Sequence, residues 1–382
     1  MKIPRKVQIA QPALGNEELE ELKGPLSTGW LTQGPKVAAF EVAFATRIGV
    51  RHALATTSAT TGLHLALAAL GIGPGDEVLV PAFTWVATAN AVAYCGATPV
   101  FVDVDRTTYN IDPQAAAPKV SERTKAVIPV HLFGLCVDMD KLRAALPGGL
   151  AIVEDAACAA GAEYFGSPAG GLGDLAVFSF HPRKSITTGE GGMVTTNDTT
   201  LAVRAEQLRN HGASISEEIR HQGPQPYLLP AFDVLGFNYR MSDLQGAVGL
   251  AQLRKLDRFL GERQAGAEYY VRELADIAWL RLPRTPQGWR HGWQAFVCYV
   301  DPDKAPLPRN EIMARLHERG IATRPGTHAV HMLGYYRHRY GIAVDDFPGA
   351  RDLDRNTMAI PLHNQMTAED YEYVAASIHE LA

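Results

Sequence analysis

Lys184 stands in the string FSFHPRKSITTGEGGM, which begins at Phe178. The apolar run from Leu175 to Phe180 reads as a buried strand, and the chain turns polar directly after it. Thr187, Thr188, Gly189, Glu190, Gly191 and Gly192 follow the lysine, so the backbone there can turn tightly and come close to a ligand. A second apolar run, Ala151 to Val153, leads into Glu154-Asp155-Ala156-Ala157. A single lysine after a strand is most often a solvated residue, and a single aspartate there is most often a cap or turn residue. Taken together, an amine and a carboxylate just past the ends of two buried strands meet the needs of pyridoxal 5'-phosphate (PLP) chemistry. The amine forms a Schiff base with the cofactor aldehyde. The carboxylate pairs with the pyridinium nitrogen and keeps the ring an electron sink.

Three further segments carry polar groups to strand ends. Ser58-Ala59-Thr60-Thr61 follows an early strand and opens a helix. Small residues there present backbone N–H groups at the positive end of the helix, a site for a phosphate. A plain Ser N-cap is the competing reading. Phe83-Thr84-Trp85 closes another strand, and Trp85 is either core or a plate that stacks on a flat ring. Ser179 adds a hydroxyl beside the lysine loop. Gly236-Phe237-Asn238-Tyr239-Arg240-Met241-Ser242-Asp243 precedes a helix, with Ser242 or Asp243 as its cap.

The elements that must hold these groups follow from the apolar pattern. Between residues 52 and 197 short, Val- and Ile-rich runs alternate with helical stretches. The strand candidates are His52-Thr57, Glu77-Phe83, Pro99-Val104, Ala126-Leu132, Ala151-Glu154, Leu175-Phe180 and Met193-Thr196. They are continuous rather than alternating, the pattern of a sheet covered on both faces. Thr61-Leu70, Trp85-Tyr94 and Met139-Ala145 read as helices between them, which makes the class α/β with a mostly parallel sheet. Helical patterns also cover Leu201-Asn210 and one long stretch from Ser242 to about Leu274. Gln294-Val300 reads as a strand, and Asn310-Arg319 and Ala368-Leu381 as helices. Pro283-Pro286 and Pro302-Pro308 punctuate this region as loops. Residues 1–250 are expected to form a large domain, with its N-terminal segment, and residues 251–382 a smaller α+β domain.

With 382 residues the chain exceeds the usual size of one hydrophobic core. Its net charge of -5 argues against non-specific binding to nucleic acid or anionic membranes, so phosphate affinity must come from a local site. The first residues lack the long apolar segment of a signal peptide, and no run approaches a membrane span. Cys95, Cys136, Cys158 and Cys298 are scattered, without CxxC spacing, which suggests reduced thiols and a cytoplasmic protein.

The chain resembles the DegT/StrS family of PLP-dependent nucleotide-sugar aminotransferases. The resemblance runs through STGWLTQGPKVAAFE from Ser27, GPGDEVLVPAFTWVATANAV from Gly73 and GATPVFVDVD from Gly96. It continues through EDAA from Glu154, the Lys184 string, and GFNYRMSDLQGAVGLAQL from Gly236. It implies the fold-type-I aminotransferase architecture and a homodimer with active sites shared across the interface. It further implies Lys184 as the Schiff-base lysine, Asp155 as the pyridinium partner and Trp85 as the ring-stacking aromatic. Ala59, Thr60 and Ser179 would cradle the phosphate, and Asn238 would reach it from the neighbouring subunit. Two positions depart from the family pattern. Ala59 stands where glycine is frequent, a small change. Cys158 stands where a glutamine often bonds the cofactor's phenolic oxygen, and a thiol is a poor donor. His181-Pro182-Arg183 and Thr327-His328-Ala329-Val330-His331 resemble one branch of the family.

The reaction so implied takes an amino group from L-glutamate and delivers it to a keto-sugar linked to a nucleoside diphosphate, with Lys184 as general acid/base. Carbon 4 of a 6-deoxyhexose is the expected position; a 3-keto sugar or a cyclic keto-polyol is the alternative. Trp30 and His331 are candidate substrate contacts, although a histidine at position 331 is more often structural. A sugar dehydratase of the same family would carry histidine in place of Lys184. A non-enzymatic regulator would have no reason to keep Lys184, Asp155 and the glycine loop together.

Overall fold

The computed structural model describes residues 5–215, 227 and 229–381. A seven-stranded sheet is built from β1 (His52–Thr56), β2 (Glu77–Pro81), β3 (Thr98–Val102), β4 (Thr124–Val127), β5 (Ala151–Asp155), β6 (Leu175–Ser179) and β7 (Gly192–Thr196). Their spatial order is β1-β7-β6-β5-β4-β2-β3. The β2–β3, β2–β4, β4–β5 and β5–β6 pairs are parallel, and β7 runs against both of its neighbours. Each of the seven apolar runs read as strands between residues 52 and 197 became one of these seven. The sheet separates two apolar layers, because successive residues of a strand face opposite ways. Leu54, Val78, Val80 and Val177 pack on one side. Ala55, Leu79 and Phe178 pack on the other.

Helices cover both faces: α1 (Asn16–Thr28), α2 (Pro35–Ile48), α3 (Ala59–Ala69), α4 (Ala87–Tyr94), α5 (Met139–Ala145) and α6 (Thr199–Arg209). The α1 and α2 helices were not anticipated. α1 carries an internal Pro25 and buries only Glu18 and Pro25, so it shows little apolar periodicity. α2 packs Phe40 and Phe44 against Phe180 and Phe178, with ring centroids 5.1 and 4.9 Å apart. That aromatic cluster fixes the end of β6, where the lysine loop begins.

The long helix expected from Ser242 is two helices, α7 (Asp243–Arg254) and α8 (Leu256–Glu273). At the break the Lys255 N–H turns to the Gln252 carbonyl, 3.0 Å away, and its Nζ sits 2.5 Å from the buried Glu18 carboxylate. Ser242 caps α7, accepting from the Gln245 N–H, while Asp243 accepts from the Val37 N–H at 2.8 Å and ties α7 to α2. Beyond α8 a four-stranded antiparallel sheet joins Leu280–Arg281, β8 (Phe296–Val300), β9 (Thr357–Ile360) and Arg324–Pro325. It packs with α8, α9 (Arg309–Glu318) and α11 (Ala368–His379) around Tyr270, Phe296, Ile312, Ile360 and Val374. A helix α10 (Pro348–Asn356) leads into β9, and neither was anticipated. Val7 joins this third core: its N–H reaches the Gly320 carbonyl, and its own carbonyl accepts from Ala322, each at 2.9 Å. No helix among the described residues is long and apolar enough to cross a membrane.

Candidate active site

A cavity of 660 Å³ opens at the carboxyl ends of the parallel strands, where ligands of α/β sheets bind. Ala59, Thr60, Trp85, Asp155, Cys158, Ser179 and Lys184 all line it. Sequence positions more than a hundred residues apart meet there because β1, β2, β5 and β6 end at the same edge of the sheet.

The lysine loop is pinched shut at its base. The Phe180 N–H donates to the Gly191 carbonyl at 2.9 Å, and the Phe180 carbonyl accepts from the Thr188 N–H at 2.9 Å and from the Thr187 hydroxyl at 2.8 Å. Gly189 turns with φ +84°, a conformation that glycine takes at little cost. Lys184 Nζ projects from this loop and donates to Cys158 Sγ at 3.1 Å.

Glu154 and Asp155 are both buried, yet the strand's alternation sends them to different tasks. Glu154 accepts from the N–H groups of Gly170, Leu172 and Gly173 at 2.8, 2.7 and 2.6 Å. His131 Nδ1 accepts from the Val137 N–H, so its Nε2 carries the proton and donates to Glu154 at 2.9 Å. Glu154 is therefore a fully satisfied clasp. Asp155 lines the cavity, accepting from the Thr88 hydroxyl at 2.8 Å and from the Ala157 N–H at 3.2 Å. Burial pushes its carboxyl above the ordinary aspartate range, and those two donors, with the charge of Lys184, oppose that shift.

Ser58 serves as the N-cap of α3, accepting from the Thr61 N–H at 3.2 Å, and it also lines the cavity. The amides of Ala59 and Thr60 belong to the first turn, where no intrahelical acceptor exists. Gly192 permits this placement, since a Cβ there would lie 2.6 Å from the Ser58 carbonyl group and 2.7 Å from the Ala59 nitrogen. Trp85 is 54% exposed and tilts against His328, ring centroids 5.5 Å apart. This donor set fits PLP: helix amides and hydroxyls for a phosphate, a buried carboxylate for a ring nitrogen, an open indole face for the ring, and an amine.

Three anticipated residues are not on the cavity wall. His331 is fully buried, with Nε2 facing the Val344 carbonyl at 3.2 Å and its ring 4.8 Å from that of Phe347. His328, three residues earlier in the same segment, is the histidine on the wall. Trp30 lies in the loop before α2, where its indole N–H donates to the Gln33 carbonyl at 3.0 Å. Asn238 is exposed, its backbone bridged to Asn210 beside the end of α6. Conversely, Thr88, Gln294 and Arg324 belong to the site and were not singled out, and Arg183 was read only within the His181-Pro182-Arg183 string. Thr88, in the first turn of the helix after β2, and Arg183, beside the lysine, carried a local signal. Gln294 and Arg324 arrive from the small sheet, and nothing in their own neighbourhoods marks them.

Residues 12–379 match the model of the DegT/DnrJ/EryC1/StrS aminotransferase family. The chain is 39% identical, over 99% of both chains, to the GDP-perosamine synthase of Caulobacter vibrioides. It is also 39% identical, over 97% of this chain and 95% of the other, to the spore coat polysaccharide biosynthesis protein SpsC of Bacillus subtilis. The crystal structure of DesV from S. venezuelae superposes with a TM-score of 0.87 at 33% identity, covering 96% of this chain and 94% of that one. The architecture is that of the fold-type-I aminotransferases, and with so nearly complete a match the chain belongs to the DegT/DnrJ/EryC1/StrS family as a PLP-dependent sugar aminotransferase.

Proposed function

We propose that the protein moves the amino group of L-glutamate to carbon 4 of a nucleoside-diphosphate 4-keto-6-deoxyhexose, giving a 4-amino-4,6-dideoxy sugar nucleotide in the cytoplasm. The observation that carries this reading is the convergence of Lys184, Asp155, Trp85 and the first turn of α3 on one cavity. The relative named for a GDP-linked sugar supports the nucleotide-sugar class. When bound, PLP supplies an electron sink for the carbon that gains or loses nitrogen. Lys184 Nζ holds the cofactor and then carries a proton to and from the reacting carbon. Asp155 accepts the ring-nitrogen proton in a charge-assisted hydrogen bond, about twice as strong as a neutral one. Thr88 orients that carboxylate. The amides of Ala59 and Thr60, with the Thr60 and Ser179 hydroxyls, hold the phosphate, and Trp85 covers the ring. Cys158 takes the place beside the phenolic oxygen.

The working unit in this proposal is a homodimer, in which the exposed Asn238 reaches the partner's phosphate site and the Trp30 loop borders the partner's sugar site. In the same proposal each subunit divides near residue 250; a distinct apolar core around Tyr270, Phe296 and Ile312 supports a second unit, although Leu256, Phe259 and Leu260 still pack with the large sheet. His331 is left out, because it is enclosed by Val344 and Phe347.

Incubating the purified holoenzyme with L-glutamate and a GDP-linked 4-keto-6-deoxyhexose tests the reaction. Mass spectrometry should show an amino group in place of the keto oxygen, with 2-oxoglutarate formed in step. Loss of water without gain of nitrogen would mean a dehydratase. Turnover of a 3-keto sugar or a cyclic keto-polyol alone would keep the class and reject carbon 4.

A further inference from the structure

Two guanidinium groups enter the cavity beside the lysine. Arg183 precedes Lys184 in the loop, and its carbonyl accepts from Gln294 Nε2 at 2.9 Å, which locks that segment to the residue leading into β8. Arg324 comes from the short strand that pairs with Ala359 and Met358 of β9. Among the described residues neither arginine forms an ion pair, whereas Arg5, Arg47, Arg123, Arg209 and Arg254 each do. Arg183 is half-buried and Arg324 is exposed at the cavity mouth; burial and the charge of Arg324 both disfavour the charged form of Arg183. Two cations facing one cavity without a counter-charge repel each other, and an arrangement of this kind is relieved by an anion placed between them. The carboxylates of the cavity do not fill that place. Asp155 is engaged by Thr88 and Ala157, and Glu190 makes no ion pair with either arginine.

We propose that Arg183 and Arg324 form the subsite for the carboxylates of the amino donor, and that together they select a dicarboxylate amino acid. This rests on the aminotransferase reading above and adds the residues that choose the donor. The position argues for a carboxylate over a diphosphate. In an α-amino acid the carboxylate is one carbon from the amine, so its subsite must adjoin the amine that the nitrogen passes, and Arg183 is the chain neighbour of Lys184. In a sugar nucleotide the diphosphate lies across the hexose ring from carbon 4. The planar fork of arginine matches a carboxylate through two parallel hydrogen bonds. A pair of such forks matches the two charges of glutamate, whereas glutamine or alanine would leave one guanidinium unanswered.

The test uses the holoenzyme and a non-reactive dicarboxylate, succinate, titrated by calorimetry beside GDP. Arg183→Gln and Arg324→Gln should each weaken succinate binding by about tenfold or more, the loss typical of a hydrogen bond to a charged group, and leave GDP binding unchanged. In the amino-donor half-reaction, preference for L-glutamate over L-glutamine should fall by a similar factor, with the KM for keto-sugar unaltered. Arg→Lys at either position should restore only part of the succinate affinity, since charge returns without the fork. Loss of GDP affinity with succinate unchanged would assign the pair to the diphosphate and overturn the proposal, as would no change in either ligand. Failure of the aminotransferase reading would show separately, as wild-type protein that transfers no amino group whatever the arginines bind.

Discussion

The pairing of Lys184 Nζ with Cys158 Sγ puts a thiol where a neighbouring side chain can sense the cofactor. Replacing Cys158 with Gln should be tolerated, with turnover within about tenfold, and should shift the pH at which the bound cofactor's visible absorption changes, because an amide donates where a thiol scarcely does. Cys158 should also alkylate faster once PLP is removed; equal rates in both states would place the thiol away from the cofactor. Asp155 carries a sign that can be checked. Burial raises its folded pKa above the unfolded value of about 3.9, so the folded apoprotein keeps its proton longer than the unfolded chain does. The apoprotein should therefore lose stability as pH rises from about 4 through that folded value. Asp155→Asn should flatten this dependence and raise the apoprotein's melting temperature at pH 7, while sharply reducing PLP retention. A lower apoprotein melting temperature at pH 7 would show that the carboxylate is stably charged without a ring nitrogen. The types of these residues were readable from the chain: a lysine before glycines and an acid after an apolar run carry their chemistry in plain view. The arginine pair was not, because half of it is delivered by tertiary structure alone.

At the scale of elements, the close approach of β7 to the start of α3 is the joint on which the proposed phosphate cradle depends. Gly192→Ala would drive a methyl group into the Ser58 and Ala59 backbone, which cannot yield as a flexible side chain would. Overpacking of this kind costs about 1–3 kcal/mol, and the displaced turn should weaken PLP retention by more than the fall in melting temperature explains. Cofactor affinity and melting measured together decide it; unchanged affinity would mean the cradle does not need this contact. The seven strands were legible because a strand buried on both faces favours a continuous apolar run, as Val78-Leu79-Val80 of the fully buried β2 shows. Helices α1 and α10 were not legible, since each buries only a few residues and carries or begins with proline. The single helix expected from Ser242 failed for a different reason: its pattern is continuous, and the break at Lys255 is set by the distant Glu18.

For the whole molecule, the proposed shared site predicts complementation. Asn238→Ala and Lys184→Ala are each expected to be nearly inactive, yet their mixture should recover roughly a quarter of the wild-type activity if subunits exchange freely and one site in a hybrid dimer is intact. No recovery after co-refolding, or a monomer by light scattering, would sink the shared-site arrangement. The fold also ties its beginning to its end. Arg5 pairs with Asp370, 365 positions away, at 2.7 Å, and Val7 is stitched to Gly320 and Ala322. During synthesis these first residues leave the ribosome long before their partners exist. The β1–β7 sheet can assemble early from neighbouring strands, but the C-terminal core must wait for its last helix and then recapture a segment made at the outset. Closing so large a loop costs little more than closing one half its length, about 0.6 kcal/mol per doubling, yet it makes the step late and slow. The N-terminal segment thus works as a latch that sets only once α11 has been made, and arrested nascent chains lacking α11 should leave residues 5–9 open to protease while the lysine loop is already protected.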